Sequence, residues 1–289
     1  MNQESIQEKL NERFQKQFDR NTKRRRLQLR VLQNWWLIAV LILGIYAGLP
    51  IAAPVMMKAG ITQPAETIYN IYGFACHQFA FRSVFLFGEQ TFYPRESAQS
   101  NLTSFEARAA QSEQFRAEYS RQSGIPLDEL TPERLTNELT IWSPELQFAA
   151  RNFVGDEQMG YKIALCQRDI AIYLTMVIAG AIYGLFLRRR LRPVPLWLYV
   201  LLGLGPIALD GFSQLLGYPP FELWEPRETT PFFRILTGSL FGLMNVWLAF
   251  PYLNASIQES IESLSRQLEQ AKAEFHAMLE RTKAATQES

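Results

Sequence analysis

Four stretches of this chain are almost uninterrupted in their apolar character, and polar segments of quite different kinds lie between them. The stretches cover 34–57, 162–187, 194–217 and 231–253, and each is long enough for a bilayer core, which takes about 20 residues. Their length and near-freedom from charge predict four transmembrane helices. The first lies behind a long polar leader, and its apolar run exceeds the roughly 7 to 15 residues of a secretory signal. It is expected to remain as an anchor.

The segments between and around these helices follow other periods. After the last helix, in the tail 255–289, Ile257, Ile261, Leu264, Leu268, Ala271, Phe275 and Met278 alternate spacings of four and three. That is the seam of a short coiled coil. In the N-terminal segment 1–33, Ile6, Leu10, Phe14 and Phe18 form one apolar stripe on a charged helix. Such a stripe suits the membrane surface, or the C-terminal helix of the same or another subunit, so a homo-oligomer through these helices is expected. The long connection 58–160 divides in two. Residues 64–93 mix aromatic and polar side chains, which predicts a helix at or dipping into the membrane interface. Residues 95–158 turn polar and acidic, with Thr131 placed to cap a helix that starts at Pro132. A small helical insertion is expected there.

The formal net charge is only +1, but the average conceals a segregated chain. Arg20, Lys23, Arg24, Arg25, Arg26 and Arg30 precede the first membrane helix, and Arg188, Arg189, Arg190 and Arg192 follow the second. By the positive-inside rule both clusters face the cytoplasm, which places both termini inside and 58–160 outside. Trp35, Trp36, Trp197 and Trp247 then fall near the inner boundary and Trp224 near the outer one, as interfacial belts require. The expected architecture is an all-α, four-helix transmembrane bundle in the plasma membrane. The lipid bilayer is its partner, and no nucleic-acid partner is expected.

Chemistry is concentrated at the outer level. The chain has two cysteines, in Cys76-His77-Gln78 and in Cys166-Gln167-Arg168-Asp169. An extracytoplasmic pair favours a disulfide; Cys76, His77, Cys166 and Asp169 could instead hold zinc, although adjacent Cys76 and His77 reach one ion with difficulty; two separate buried thiols are the plain reading. Asp210 sits inside the third helix, one turn from Gln214. A charge at that depth costs on the order of 3 kcal/mol when unpaired, so Asp210 should have a partner, with Arg168 and Arg234 as candidates. Gln78, Arg82 and Thr237 complete the polar cluster. No phosphate-binding glycine loop, HExxH or nucleophile elbow occurs in the sequence, which removes the common enzyme signatures and not enzymes in general.

The run from Tyr72 to Gln78, followed by Arg82-Ser83 and Gly88, and then Cys166-Gln167-Arg168-Asp169-Ile170-Ala171-Ile172-Tyr173, resembles the uncharacterised prokaryotic membrane proteins grouped as domain of unknown function 2085. That family shows CHQ, then RS and G, then CxRCxGIY opening a membrane helix. Asp210-Gly211 with Gln214, and Thr237-Gly238, also look like its DG and TG positions. The resemblance covers residues 68–90 and 160–245. It implies membrane location and no known activity. Asp169 stands where the family has its last cysteine and Ala171 where glycine is usual, so redox chemistry here would need Cys76 with Cys166. The stretch between Gly88 and Cys166 looks like an insertion.

These observations predict a noncatalytic scaffold or binding protein, with a cysteine pair or metal site fixing the external segment over the bundle. The alternative is a membrane-embedded thiol-redox or metal-dependent enzyme, or a small transporter, with Asp210 as base or ion ligand and Arg168 or Arg234 holding an anion.

Overall fold

The computed structural model describes residues 3–287, with side chains described for 12–281. Ile6 and Leu10 of the N-terminal stripe therefore lie outside the described side chains. Among the described residues, four helices are long and apolar enough to cross a membrane: α2 (Trp35–Lys58), the span Gln167–Leu187, the span Leu196–Leu215, and the apolar first part of a helix that runs on past residue 253. The second span consists of α8 (Gln167–Ile182) and a π-helical turn, Tyr183–Leu187. In the third, a π-helical stretch Tyr199–Leu204 joins α9 (Leu196–Leu198) to α10 (Gly205–Leu215). The fourth opens α11 (Pro231–Gln287).

The chain divides into two compact units. One comprises residues 1–39, 183–193 and 249–289. In it α1 (Gln3–Gln33) and the C-terminal part of α11 lie side by side and antiparallel. Phe18 stacks on Phe275 with ring centroids 3.9 Å apart, and Arg25 donates to the carbonyl of Gln267 at 3.2 Å. From Ile257 to Phe275 every member of the apolar stripe is at least partly buried, whereas Met278 is exposed. Asn254 ties the unit together, because its Oδ1 accepts from Arg188 Nε at 2.7 Å and from Trp35 Nε1 at 3.4 Å.

The other unit comprises 40–182 and 194–248. Its part between α2 and α8 corrects the expectation of an all-α chain. Strands β1 (Ser83–Leu86), β2 (Gly155–Asp156) and β3 (Gly160–Cys166) form an antiparallel sheet in the order β1-β3-β2. The membrane helix consequently begins at Gln167 rather than at 162, since 160–166 are extended. The expected interfacial helix over 64–93 is likewise reduced to α3 (Thr62–Tyr72). Beyond it Phe79, Ala80 and Phe81 are buried around a single helical turn, Ala80–Arg82, and in β1 Ser83 and Phe85 are buried while Val84 and Leu86 are less so. The alternation in β1 is strand periodicity, and the three rings enter a protein core instead of lipid. The core is completed from α4 (Phe105–Ala109), α5 (Glu113–Ser123), α6 (Pro132–Thr140) and α7 (Pro144–Asn152), through Phe105, Phe115, Leu135, Leu139 and Leu146. Each of these helices is capped by a hydroxyl, at Ser104, Ser112, Thr131 and Ser143, and Pro132 opens α6 as the sequence predicts.

A hairpin joins β2 to β3. Gly160 has φ +78°, and a Cβ there would stand 2.3 Å from the carbonyl oxygen of Leu86, so the turn requires glycine. Among the membrane helices, α8 and α11 pack at Gly238 and Gly242. A Cβ on either would meet the carbonyl oxygen of Arg168 at 2.6 Å or of Ile172 at 2.4 Å. Two glycines four apart give the backbone approach seen at small-residue helix crossings.

Candidate functional site

The two cysteine motifs meet where β3 passes into α8. Cys76 and Cys166 are joined as a disulfide, with Cα atoms 6.8 Å apart, inside the distance such a bridge requires. Backbone N–H groups of Gln78 and Cys166 both donate to Cys76 Sγ, at 3.4 and 3.3 Å. The carboxylate of Asp169 lies with the two sulfurs, all three donors within 4.8 Å of one another, and could share a metal ion with them. The thiolate is the metal-binding form of cysteine, so the joined sulfurs would have to be separated first. His77 is not in this group. It is exposed, with its ring 5.3 Å from that of Phe79. The adjacency of Cys76 and His77 is the reason: successive side chains diverge, and the buried one is Cys76.

Gln78 is the hub of the first motif. It is buried with φ 55°, in the left-handed region. Its Nε2 donates to the carbonyls of Tyr69 and Ala164, both at 2.9 Å, so one amide links α3 to β3. Its own carbonyl accepts from Lys162 Nζ at 2.7 Å. Lys162 is completely buried and also donates to Arg151 O at 2.6 Å and Ala150 O at 3.2 Å. Burial, and secondarily the charge of Arg151, push the lysine down to about 7, while the three carbonyls favour the ammonium.

The second cluster lies at the N-terminal ends of α8 and α11 and the C-terminal end of α10. Asp210 pairs with Arg168, one of the two partners named for it. It also accepts from Thr229 Oγ1, and from Gln214 Nε2 at 3.3 Å. Arg234 is engaged elsewhere, donating to Gln214 Oε1 at 2.7 Å and pairing with Glu228. Glu228 in turn receives Arg82, at 2.5 and 3.2 Å, and the hydroxyl of Tyr218 at 2.9 Å. Burial alone would raise the Glu228 carboxyl, but Arg82 and Arg234 together with the bonds from Arg82 and Tyr218 hold it below its ordinary value. Arg82 also lies over the rings of Phe79, Phe81 and Trp142, at 5.5 to 5.7 Å. Thr237 stays apart from the cluster, donating to the carbonyl of Phe233 on its own helix.

The result is one chain of matched charges: Arg168 with Asp210, Gln214 between Asp210 and Arg234, and Glu228 between Arg234 and Arg82. Sequence reasoning found Arg82, Arg168, Asp210, Gln214 and Arg234 but missed Glu228, Thr229 and Tyr218. The available signal was the position of Glu228, a carboxylate three residues before Pro231 and six before Arg234. Lys162 was read as the edge of a membrane helix, and its burial was not anticipated.

No solved structure matches this chain. An uncharacterized protein of Methanocaldococcus jannaschii is 29% identical over 92 residues, which is 32% of this chain and 54% of the relative. The match thus spans about half the length of that relative. A family match over 148–248 takes in Cys166 to Asp169, Asp210 and Gly238 but not the Cys76 motif. Residues 148–248 match the family described as predicted membrane protein, domain of unknown function 2085, and in that part the chain is similar to it.

Proposed function

We propose that this is a noncatalytic, four-pass scaffold or binding protein of the plasma membrane. Its external segment is held over the outer end of the bundle by the Cys76–Cys166 bridge and by the Arg82–Glu228–Arg234 ion pairs, and both termini lie in the cytoplasm. One observation carries the reading: Asp210, the membrane carboxylate best placed to act as a base or ion ligand, is matched by Arg168 and hydrogen-bonded by Thr229 and Gln214. A catalytic base or transported-ion site needs a free lone pair facing substrate; this carboxylate faces protein donors. The contacts of α1 with α11 within one chain, Phe18 on Phe275 and Arg25 on Gln267, favour tail pairing within the subunit. Proteoliposomes containing the full chain provide the test. Protease added from outside should leave a resistant fragment covering β1 to β3; immediate digestion of that region would overturn the reading.

Thiol exchange at the bridge is a second reading, favoured by the two N–H groups aimed at Cys76 Sγ. They would stabilise Cys76 as the leaving thiolate if an external protein dithiol attacked Cys166. Opening of the bridge by a dithiol, with the external fragment still protease-resistant, supports it. A bridge reducible only after denaturation removes it.

A further inference from the structure

The charge network leaves no described member without a partner, but the same unit contains a polar cavity whose charges are not matched. Its volume is about 380 Å³, within the range of small-molecule sites. Met57, in the last turn of α2, forms an apolar rim; α3 contributes Glu66 and Asn70, and the end of α7 contributes Arg151 and Asn152. Glu66, Asn70 and Gly73 fall at i, i+4 and i+7, so this wall follows one face of α3 for about 10 Å.

The two ends of the wall differ in charge. Glu66 makes no hydrogen bond or ion pair among the described residues. At the other end Arg151 Nη2 donates to Gly73 O at 2.8 Å, which anchors the guanidinium and leaves the rest of its fork of donors for a ligand. Behind it the Lys162 side chain is bonded to the carbonyl of Arg151 itself. Asn152 gives its amide nitrogen to Glu118 at 2.8 Å and retains its carbonyl oxygen. A carboxylate at one end and a fixed guanidinium at the other define a ligand with the complementary pair.

We infer that this cavity binds a zwitterion, its ammonium held by Glu66 and its phosphate by Arg151. The inference rests on the binding reading above and names its ligand class. Arginine matches phosphate oxygens through two parallel bonds, which a point charge cannot do. The rim at Met57, where a membrane helix ends, lies at the level of lipid headgroups. A phosphoethanolamine group can therefore arrive on a phospholipid or on a soluble molecule.

The experiment uses the full chain in nanodiscs made of phosphatidylglycerol, which lacks the ammonium, with glycerophosphoethanolamine as soluble probe. In parallel, native mass spectrometry measures retention of phosphatidylethanolamine over phosphatidylglycerol from mixed lipid. The probe is expected to slow amide exchange in 62–73 and 148–154, and Glu66→Gln to weaken it about ten-fold or more, as loss of a charge-assisted contact implies. Glu66 is exposed and unpaired among the described residues, so this variant should fold; Arg151→Lys keeps the charge, loses the fork and should also weaken binding. Glu66-dependent probe binding identifies a soluble zwitterion as sufficient. Lipid retention alone that depends on Glu66 identifies the membrane lipid as source. Absence of both, or both undiminished in Glu66→Gln, overturns the inference. Protease resistance of the external fragment, read in the same samples, separates that failure from failure of the scaffold reading.

Discussion

Glu228 shows how much a single residue can hold. Its carboxylate is buried between Arg82 and Arg234 and receives the Tyr218 hydroxyl. Removing one member of a buried pair strands the other charge at a cost of about 3–5 kcal/mol. Glu228→Ala strands two arginines, so it is expected to lower stability by at least that range and to undock the segment that carries Arg82, measured as faster proteolysis between β1 and β3. Lys162 yields a prediction in pH. With the folded value pushed down to about 7 against 10.5 in the unfolded chain, the unfolded state binds more protons between those values. The core around β3 should therefore gain stability as pH rises through that window and show no gain from this residue below it. The three carbonyls that hold the ammonium move the onset upward. Amide exchange in β3 across pH 6 to 10 checks this, and Lys162→Met should abolish the gain.

At the scale of elements, two devices fix β3 and α8 against their neighbours. The bridge closes a loop with a sequence separation of 90, and closing a loop of that order stabilises by about 2–4 kcal/mol. Cys76→Ser with Cys166→Ser should cost that much, read as a lower melting temperature of the core around the sheet with the membrane helices retained. The crossing of α8 and α11 depends on two missing side chains. Gly242→Leu would put a Cβ 2.4 Å from the Ile172 carbonyl oxygen, where overpacking costs about 1–3 kcal/mol. Separation of the helices should also loosen the Arg168–Asp210 pair, visible as faster exchange in the first turns of α8. The corresponding change at Gly44, with nothing within 4 Å of its Cβ, should be far milder.

For the molecule as a whole, orientation is the prediction that charge makes. A reporter enzyme that matures only outside the cytoplasm, inserted at the turn Ser123-Gly124, should be active; a fluorescent protein that matures only inside, fused after Ser289, should be bright. The opposite pattern would invert the topology. The membrane spans were legible because lipid imposes a condition each segment meets alone, about 20 apolar residues. The cap of α6 belongs to the same kind, since Thr131 and the backbone N–H it satisfies are three residues apart.

The candidate site was legible only in part. Arg168, Asp210 and Arg234 could be placed at one depth by counting helix turns, but which arginine Asp210 takes depends on rotation and tilt. The strand at Ser83–Leu86 could not be told from an interfacial segment, because buried aromatics suit both a core and a membrane surface, and what decides is a pairing partner at Tyr161 to Cys166. By itself, then, the sequence determined the number of apolar spans and the two cysteine motifs as the place to look. Only the tertiary structure decided the sheet, the matching of Glu228 with two arginines, the burial of Lys162 and the unmatched charges around the cavity. Those depend on contacts between residues as far apart as Arg82 and Glu228, 146 positions along the chain, and no local pattern records which distant groups will meet.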